Sequence, residues 1–195
     1  MSVFNIIIAG VGGQGVLLTS KIIAETAMEQ GYDVKQSEVH GMAQRGGSVI
    51  SHVRIGDKVY SPIVSEGEAD LLIGFEPLET ARYIHYLKKD GIVVYNTYRI
   101  SSITVSIGVE KYPDDIDQII KKNANKVYPF DGTKLAVEAG DKRTLNIVLL
   151  GAVLKFLPLD KNIVLKSIEN NVKSKALSVN KKAFELGLGL FKKLK

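Results

Sequence analysis

Phe4-Asn5-Ile6-Ile7-Ile8-Ala9-Gly10-Val11-Gly12-Gly13-Gln14-Gly15-Val16-Leu17-Leu18 decides the fold of this 195-residue chain. Residues 4–9 are a short, nearly continuous apolar run, the pattern of a parallel strand buried on both faces. The run stops at Gly10. From Val16 to Gln30 the residues Leu17, Leu18, Ile22, Ile23 and Ala27 recur on one helical face, and Gly31 closes that helix. A strand, a glycine-rich turn and a helix in this order are the opening unit of a Rossmann-like sheet. In such a turn Gly10 lets the chain bend sharply, Gly12 removes a Cβ that would block a phosphate, and Gly15 lets helix and strand pack closely. The free N–H groups of the first helical turn then face whatever anion the turn accepts. Gly10, Gly12, Gly13, Gln14 and Gly15 are therefore the candidate cofactor-binding residues.

Working outward, the same rhythm continues. Asp33 to Ser37 reads as a second strand. Ser48 to Ile55 alternates apolar and polar residues, and Gly56-Asp57-Lys58 predicts a turn into Val59–Val64, an antiparallel hairpin inserted at an edge or projecting as a flap. Leu71–Phe75 predicts a strand, Pro77–Lys89 a helix closed by Asp90-Gly91, and Ile92–Asn96 a strand. Ile103–Ile107 predicts a weaker strand, Asp114–Asn123 a helix, and Lys126–Phe130 a strand. Beyond Thr144 only helices are expected, over 145–156, 161–172 and 180–194. The expectation is a single α/β domain over 1–195, with a mostly parallel sheet in 1–143 and C-terminal helices in 144–195 packed on it.

Composition removes several functions. The chain has no cysteine, so it carries no disulfide, no thiolate-held zinc or iron–sulfur cluster and no cysteine nucleophile. No apolar run is long enough to span a bilayer and no signal-peptide pattern opens the chain, so a soluble, cytoplasmic protein without a membrane role is expected. The formal charge of +5 is uneven, because residues 155–195 hold ten lysines and three acids. Those lysines alternate with Leu, Ile and Phe at helical spacing and lack accompanying arginines and stacking aromatics, so they read as a solvated face and not a nucleic-acid site. His40, His52 and His85 are too scattered for a metal site, and Asp114, Asp115 and Asp117 read as a helix start complementing its dipole. Glu76 and Glu79 flank Pro77 at a strand's carboxyl end, where α/β ligands bind. No catalytic or metal-binding residue is assigned to the chain.

A nicotinamide cofactor would need an acid about 20 residues beyond the glycine turn. Counting from Gly15 reaches Lys35, and the nearest acid is Glu38. The segment His40-Gly41-Met42-Ala43-Gln44-Arg45-Gly46-Gly47 then leaves little room for a crossover helix. It is dense in polar groups between glycines, and Arg45 beside Gly46 and Gly47 is placed to fork onto a carboxylate or phosphate. Glu38, His40, Gln44, Arg45, Gly46 and Gly47 are the candidate contacts to a partner subunit or active site.

The turn at 10–15 and the segment Ser37–Val49 together resemble the gamma-type subunit of 2-oxoacid:ferredoxin oxidoreductases. Within that family they are most similar to the beta subunit of the indolepyruvate enzymes. Tyr60-Ser61-Pro62, the run Gly67–Glu79, Asn96-Thr97 and Asn146–Gly151 carry the same resemblance, which covers nearly the whole chain. The family decarboxylates a 2-oxoacid on thiamine diphosphate, sends two electrons through iron–sulfur clusters to ferredoxin and releases an acyl-CoA. The resemblance therefore assigns no cofactor to this subunit itself, and leaves the glycine turn to CoA, a nucleotide or a partner loop. Thiamine diphosphate, Mg and the clusters would sit on a large partner, with CoA as co-substrate and ferredoxin reached through the complex. Aryl pyruvates are the implied substrates, with pyruvate, 2-oxoisovalerate or 2-oxoglutarate as alternatives. An independent nucleotide-binding protein with the same turn is the other reading.

Overall fold

The structure, a computed structural model, describes residues 1–40, 47–100 and 111–191. Six strands form one sheet: β1 (Phe4–Val11), β2 (Asp33–His40), β3 (Ser48–Gly56), β4 (Ala69–Gly74), β5 (Leu87–Asn96) and β6 (Lys126–Phe130), in the order β2-β3-β1-β4-β5-β6. β1, β4, β5 and β6 run parallel, while β3 is antiparallel to both β1 and β2. The helices are α1 (Val16–Glu29), α2 (Pro77–Arg82), α3 (Ile116–Asn123), α4 (Gly132–Ala139), α5 (Leu145–Val153), α6 (Lys161–Asn171) and α7 (Leu177–Gly189).

The apolar run of β1 sits at the centre of the sheet, with Ile6, Ile7 and Ile8 fully buried. Alternate residues of the strands feed two cores. Ile6 and Ile8 pack with α1, α4, α5, α6 and α7, whereas Ile7 and Ala9 pack with α3 and the segment around Val64 and Ile84. α5 is buried at every position, as a helix apolar all round must be. It crosses α7 where Gly151 and Gly187 meet, since a Cβ on Gly187 would lie 2.1 Å from the Val148 carbonyl oxygen. The lysine-rich helices thus turn an apolar side to the sheet, through Val164, Ile168, Ala183 and Phe184.

The structure departs from the sequence expectation in five places. The antiparallel pair at the edge is β2 with β3, joined through residues 41–47, and not a hairpin about Gly56. Residues 59–64 are not a strand, because side chains supply the hydrogen bonds that a neighbouring strand would give. Asp33 accepts from the Val59 N–H at 2.8 Å, His52 Nδ1 accepts from the Val64 N–H at 3.2 Å, and Arg54 Nη1 donates to the Ser61 and Ile63 carbonyls. Pro62 has no N–H to offer a ladder. The helix expected over 77–89 stops at Arg82, and β5 begins at Leu87, which pairs with Ala69 before the register shifts. The charged residues 88–90 read as a helix end, but Lys88 on β5 ion-pairs with Asp70 on the adjacent β4. α4 was not anticipated; its N-cap Asp131 accepts from the Lys134 N–H. The last helix begins at Leu177, three residues earlier than expected. The strand expected over 103–107 lies outside the described residues.

Candidate functional site at the glycine turn

β1 and β4 are adjacent and parallel, yet α1 after β1 packs on one face of the sheet and α2 after β4 on the other. The carboxyl ends of these strands therefore flank a topological switch point, where open α/β sheets hold their ligands. The glycine turn and Glu76 lie on its two sides.

The turn is braced from within. Gln14 Oε1 accepts from the Val11 N–H at 2.7 Å and Gln14 Nε2 donates to the Phe75 carbonyl at 3.1 Å, tying the turn to the end of β4. Gln14 is thus a strut of the turn. A Cβ on Gly10 would lie 2.7 Å from Phe75 Cβ, so Gly10 is set by packing. Gly13 and Gly15 have φ of +99° and +91°, where a side chain is strained. Over Gly15 the Asn146 side chain is packed so closely that an added Cβ would lie 2.9 Å from Asn146 Cβ. No side chain caps α1, whose N-cap is Gly15.

The two motifs meet. The Gly12 N–H donates to the Gly47 carbonyl at 2.8 Å, so the turn and the end of the 37–49 segment share one surface. Glu38 lies on the α1 side of β2, where it accepts from Gln36 Nε2 at 2.7 Å. His40 ends β2 opposite Val49. Gln44, Arg45 and Gly46 lie outside the described residues. The strand beside β1 is β3, with β2 one place further out, so Glu38 is not on the neighbouring parallel strand that presents an acid to a nicotinamide ribose.

Glu76 is buried and fully engaged. Its Oε2 accepts from the Glu79 N–H at 3.0 Å as the N-cap of α2, and its Oε1 accepts from the Tyr112 hydroxyl at 2.6 Å and the Ile100 N–H at 3.3 Å. Burial, then the bond to Glu76, pushes the Tyr112 hydroxyl above its ordinary value, so it remains a donor. Glu79 accepts from the Ser48 hydroxyl at 2.5 Å, which joins α2 to the start of β3.

Asn96 went unassigned in the sequence, although it ends β5 beside the same crevice. Fully buried, it donates to the Phe75 carbonyl at 3.1 Å and accepts from the Gly132 N–H at 3.0 Å, joining β4, β5 and α4. Its signal was an amide closing an apolar strand. Two cavities flank Gly13 and Gln14. One of about 260 Å³ is lined by Tyr98, Ile100, Thr133 and Lys142 among others. The second, of about 460 Å³, runs beneath Gly15 between Arg143, Asn146, Lys173 and Lys175. Among the described residues no group of three or more His, Asp or Glu is placed to hold a metal ion.

Residues 5–190 match the sequence model of the pyruvate ferredoxin/flavodoxin oxidoreductase family. The chain belongs to that family. Within it, the chain is 45% identical to the indolepyruvate oxidoreductase subunit IorB of Pyrococcus horikoshii, over 100% of this chain and 98% of that one. The gamma subunit of a keto/oxoacid ferredoxin oxidoreductase from Geobacter sulfurreducens has the same fold, with a TM-score of 0.70 and 26% identity over 94% of this chain and 95% of that one. The fold also recurs in the 2-oxoglutarate:ferredoxin oxidoreductase of Magnetococcus marinus, solved with 2-oxoglutarate, coenzyme A and succinyl-CoA. There the TM-score is 0.76 at 21% identity, with all of this chain covering 32% of that longer one. The chain is thus a gamma-type subunit of the oxidoreductase family. Among the described residues no helix is long and apolar enough to cross a membrane.

Proposed function

We propose that this chain is the small subunit of a cytoplasmic indolepyruvate:ferredoxin oxidoreductase. The reaction is the oxidative decarboxylation of an aryl pyruvate: the 2-oxoacid and CoA give arylacetyl-CoA and CO₂, and two electrons pass to ferredoxin. The observation that carries this reading is the 45% identity, along the whole chain, to a subunit named for indolepyruvate. The absence of cysteine agrees with a division of labour in which the clusters and thiamine diphosphate with its Mg belong to a large partner. When bound there, thiamine diphosphate supplies the carbanion chemistry of decarboxylation.

This chain contributes surface and positioning. The Gly12–Gly47 hydrogen bond joins the glycine turn to the residue that leads into β3, which supports a face turned to the partner and to the CoA diphosphate. Free N–H groups at the start of α1 suit that anion. Co-expression with the large subunit, followed by purification through a tag on either chain, tests the assignment. The expected product is a stable complex whose kcat/KM for indolepyruvate or phenylpyruvate exceeds that for pyruvate and 2-oxoglutarate at least tenfold. A preference for pyruvate or 2-oxoglutarate moves the enzyme to another substrate within the family, and no complex overturns the subunit assignment.

A further inference from the structure

The two edges of the sheet differ. β6 is five residues long and carries Pro129, which has no N–H to offer a further strand. β2 ends the other side with eight residues, which pair with β3 from Asp33 to His40 without a proline or a register shift. A long, regular edge strand is a template for pairing with another chain, and proteins usually blunt such edges with proline, a bulge or a covering element.

β2 also has exposed apolar groups at both of its ends. Asp33, Lys35, Ser37 and Val39 alternate onto one face of the sheet. Val39, at one end, is 55% exposed. At the other end Asp33 accepts from the Val59 N–H at 2.8 Å, which places the next residue, Tyr60, there with 88% of its surface exposed. Arg54, opposite Lys35, holds the Ile63 carbonyl at the same end, and Ile63 is 47% exposed. A second copy running antiparallel covers both ends at once, because each end then meets the other.

We propose that β2 is a self-association surface: two copies of this chain pair antiparallel through β2, about a twofold axis at Ser37, into one continuous sheet. Symmetry restricts the register. The axis stands perpendicular to the sheet, so one residue must face its own copy. Centring on Lys35 or Glu38 sets like charges directly opposite, which destabilises a strand pair. Centring on Gln36 sets Val34 against Glu38 and Val39 against Asp33. Centring on Ser37 sets Ser37 against Ser37, Gln36 against Glu38 and Lys35 against Val39. The hydroxyl pair and the amide–carboxylate pairs can hydrogen-bond, and the lysine stem covers the valine while its ammonium stays in water. The end of β2 that carries Tyr60 then meets the end of the second copy that carries Val39. This interface is independent of the substrate proposed above.

The chain has no cysteine, so a single introduced one reports the register. Sedimentation equilibrium of the full-length chain should show a reversible monomer–dimer equilibrium. Under mild oxidation Ser37→Cys should form a covalent dimer, because facing residues of antiparallel strands lie about 4.5–5.5 Å apart between Cα atoms, within disulfide reach. Lys35→Cys should stay uncrosslinked, since its two copies would be about 13 Å apart along the strands. Val39→Lys sets a lysine against Lys35 and should weaken dimerisation at least tenfold, whereas Val39→Glu sets a carboxylate there and should keep the dimer. Val39 is exposed, so both variants should fold. A wild-type chain that is monomeric at every concentration overturns the interface. So does a dimer that Ser37→Cys fails to trap, equal crosslinking of the two cysteine variants, or equal dimerisation by Val39→Lys and Val39→Glu.

Discussion

The Gln14 amide spans the 3.1 Å to the Phe75 carbonyl while its oxygen takes the Val11 N–H, so one side chain locks the glycine turn onto the end of β4. Gln14→Leu keeps the volume but strands both backbone groups. Leaving a partly buried donor unpaired costs about 1–3 kcal/mol. Chemical denaturation should show a loss of that size, and a wild-type midpoint would mean the turn holds itself.

The crossing of α5 over α7 depends on two glycines in contact. Replacing an exposed helical glycine by alanine gains about 1 kcal/mol in helix propensity. At Gly187 the added Cβ would lie 2.1 Å from the Val148 carbonyl oxygen, a backbone atom that cannot step aside. Overpacking costs about 1–3 kcal/mol, occasionally more, and outweighs the gain. Gly187→Ala should therefore lower stability, whereas Gly189→Ala, two residues on with open space around it, should leave it unchanged or raise it. Equal thermal shifts in the two variants would contradict the close crossing.

His52 links stability to pH. Burial holds its imidazole below the ordinary value of 6.5. Its Nδ1 accepts from the Val64 N–H, and its ring lies edge-on to Tyr86 at 5.3 Å. The unfolded chain thus takes up a proton before the folded one does. The stability that neutral His52 contributes is present above about pH 6.5 and is lost as pH falls towards the depressed folded value. Urea denaturation at pH 7.5 and 5.5 should show this acid loss in the wild type and a smaller one in His52→Gln. An identical pH dependence in both proteins would remove His52 from the account.

Arg45 carries a prediction made from sequence. From the sequence, an arginine between Gln44 and Gly46-Gly47 is expected to fork onto a carboxylate or phosphate in the assembled enzyme. Arg45→Ala and Arg45→Lys should both fold yet lose assembly or activity at least tenfold, equivalent to about 1.4 kcal/mol, because an ammonium lacks the planar fork. Wild-type assembly and turnover in Arg45→Ala would make it a solvated loop residue.

The residues that revealed this fold act locally. The apolar run Ile6–Ala9, the glycines that follow and the periodic helix after them are each readable within one turn or strand. What escaped depends on distant partners. Nothing in Val59–Val64 announces that Asp33, His52 and Arg54 will take up its hydrogen bonds. Leu87–Gly91 is charged enough to end a helix and becomes strand only because Ala69 and Asp70 lie alongside. The site divides the same way. The glycine turn stands out in the sequence, but Asn146 on α5 and Lys173 and Lys175 on the connection from α6 to α7 lie more than 120 residues beyond it. The chain shows an isolated asparagine in an apolar helix and two ordinary lysines, and only folding sets them around one cavity.

Turnover with and without this chain decides whether the small subunit is required. The large subunit alone, the small chain alone and the reconstituted complex would each be assayed for reduction of ferredoxin dependent on both indolepyruvate and CoA. The account predicts no turnover by this chain, little by the large subunit, and full activity only when the two are combined. Equal activity from the large subunit alone would contradict a required small subunit.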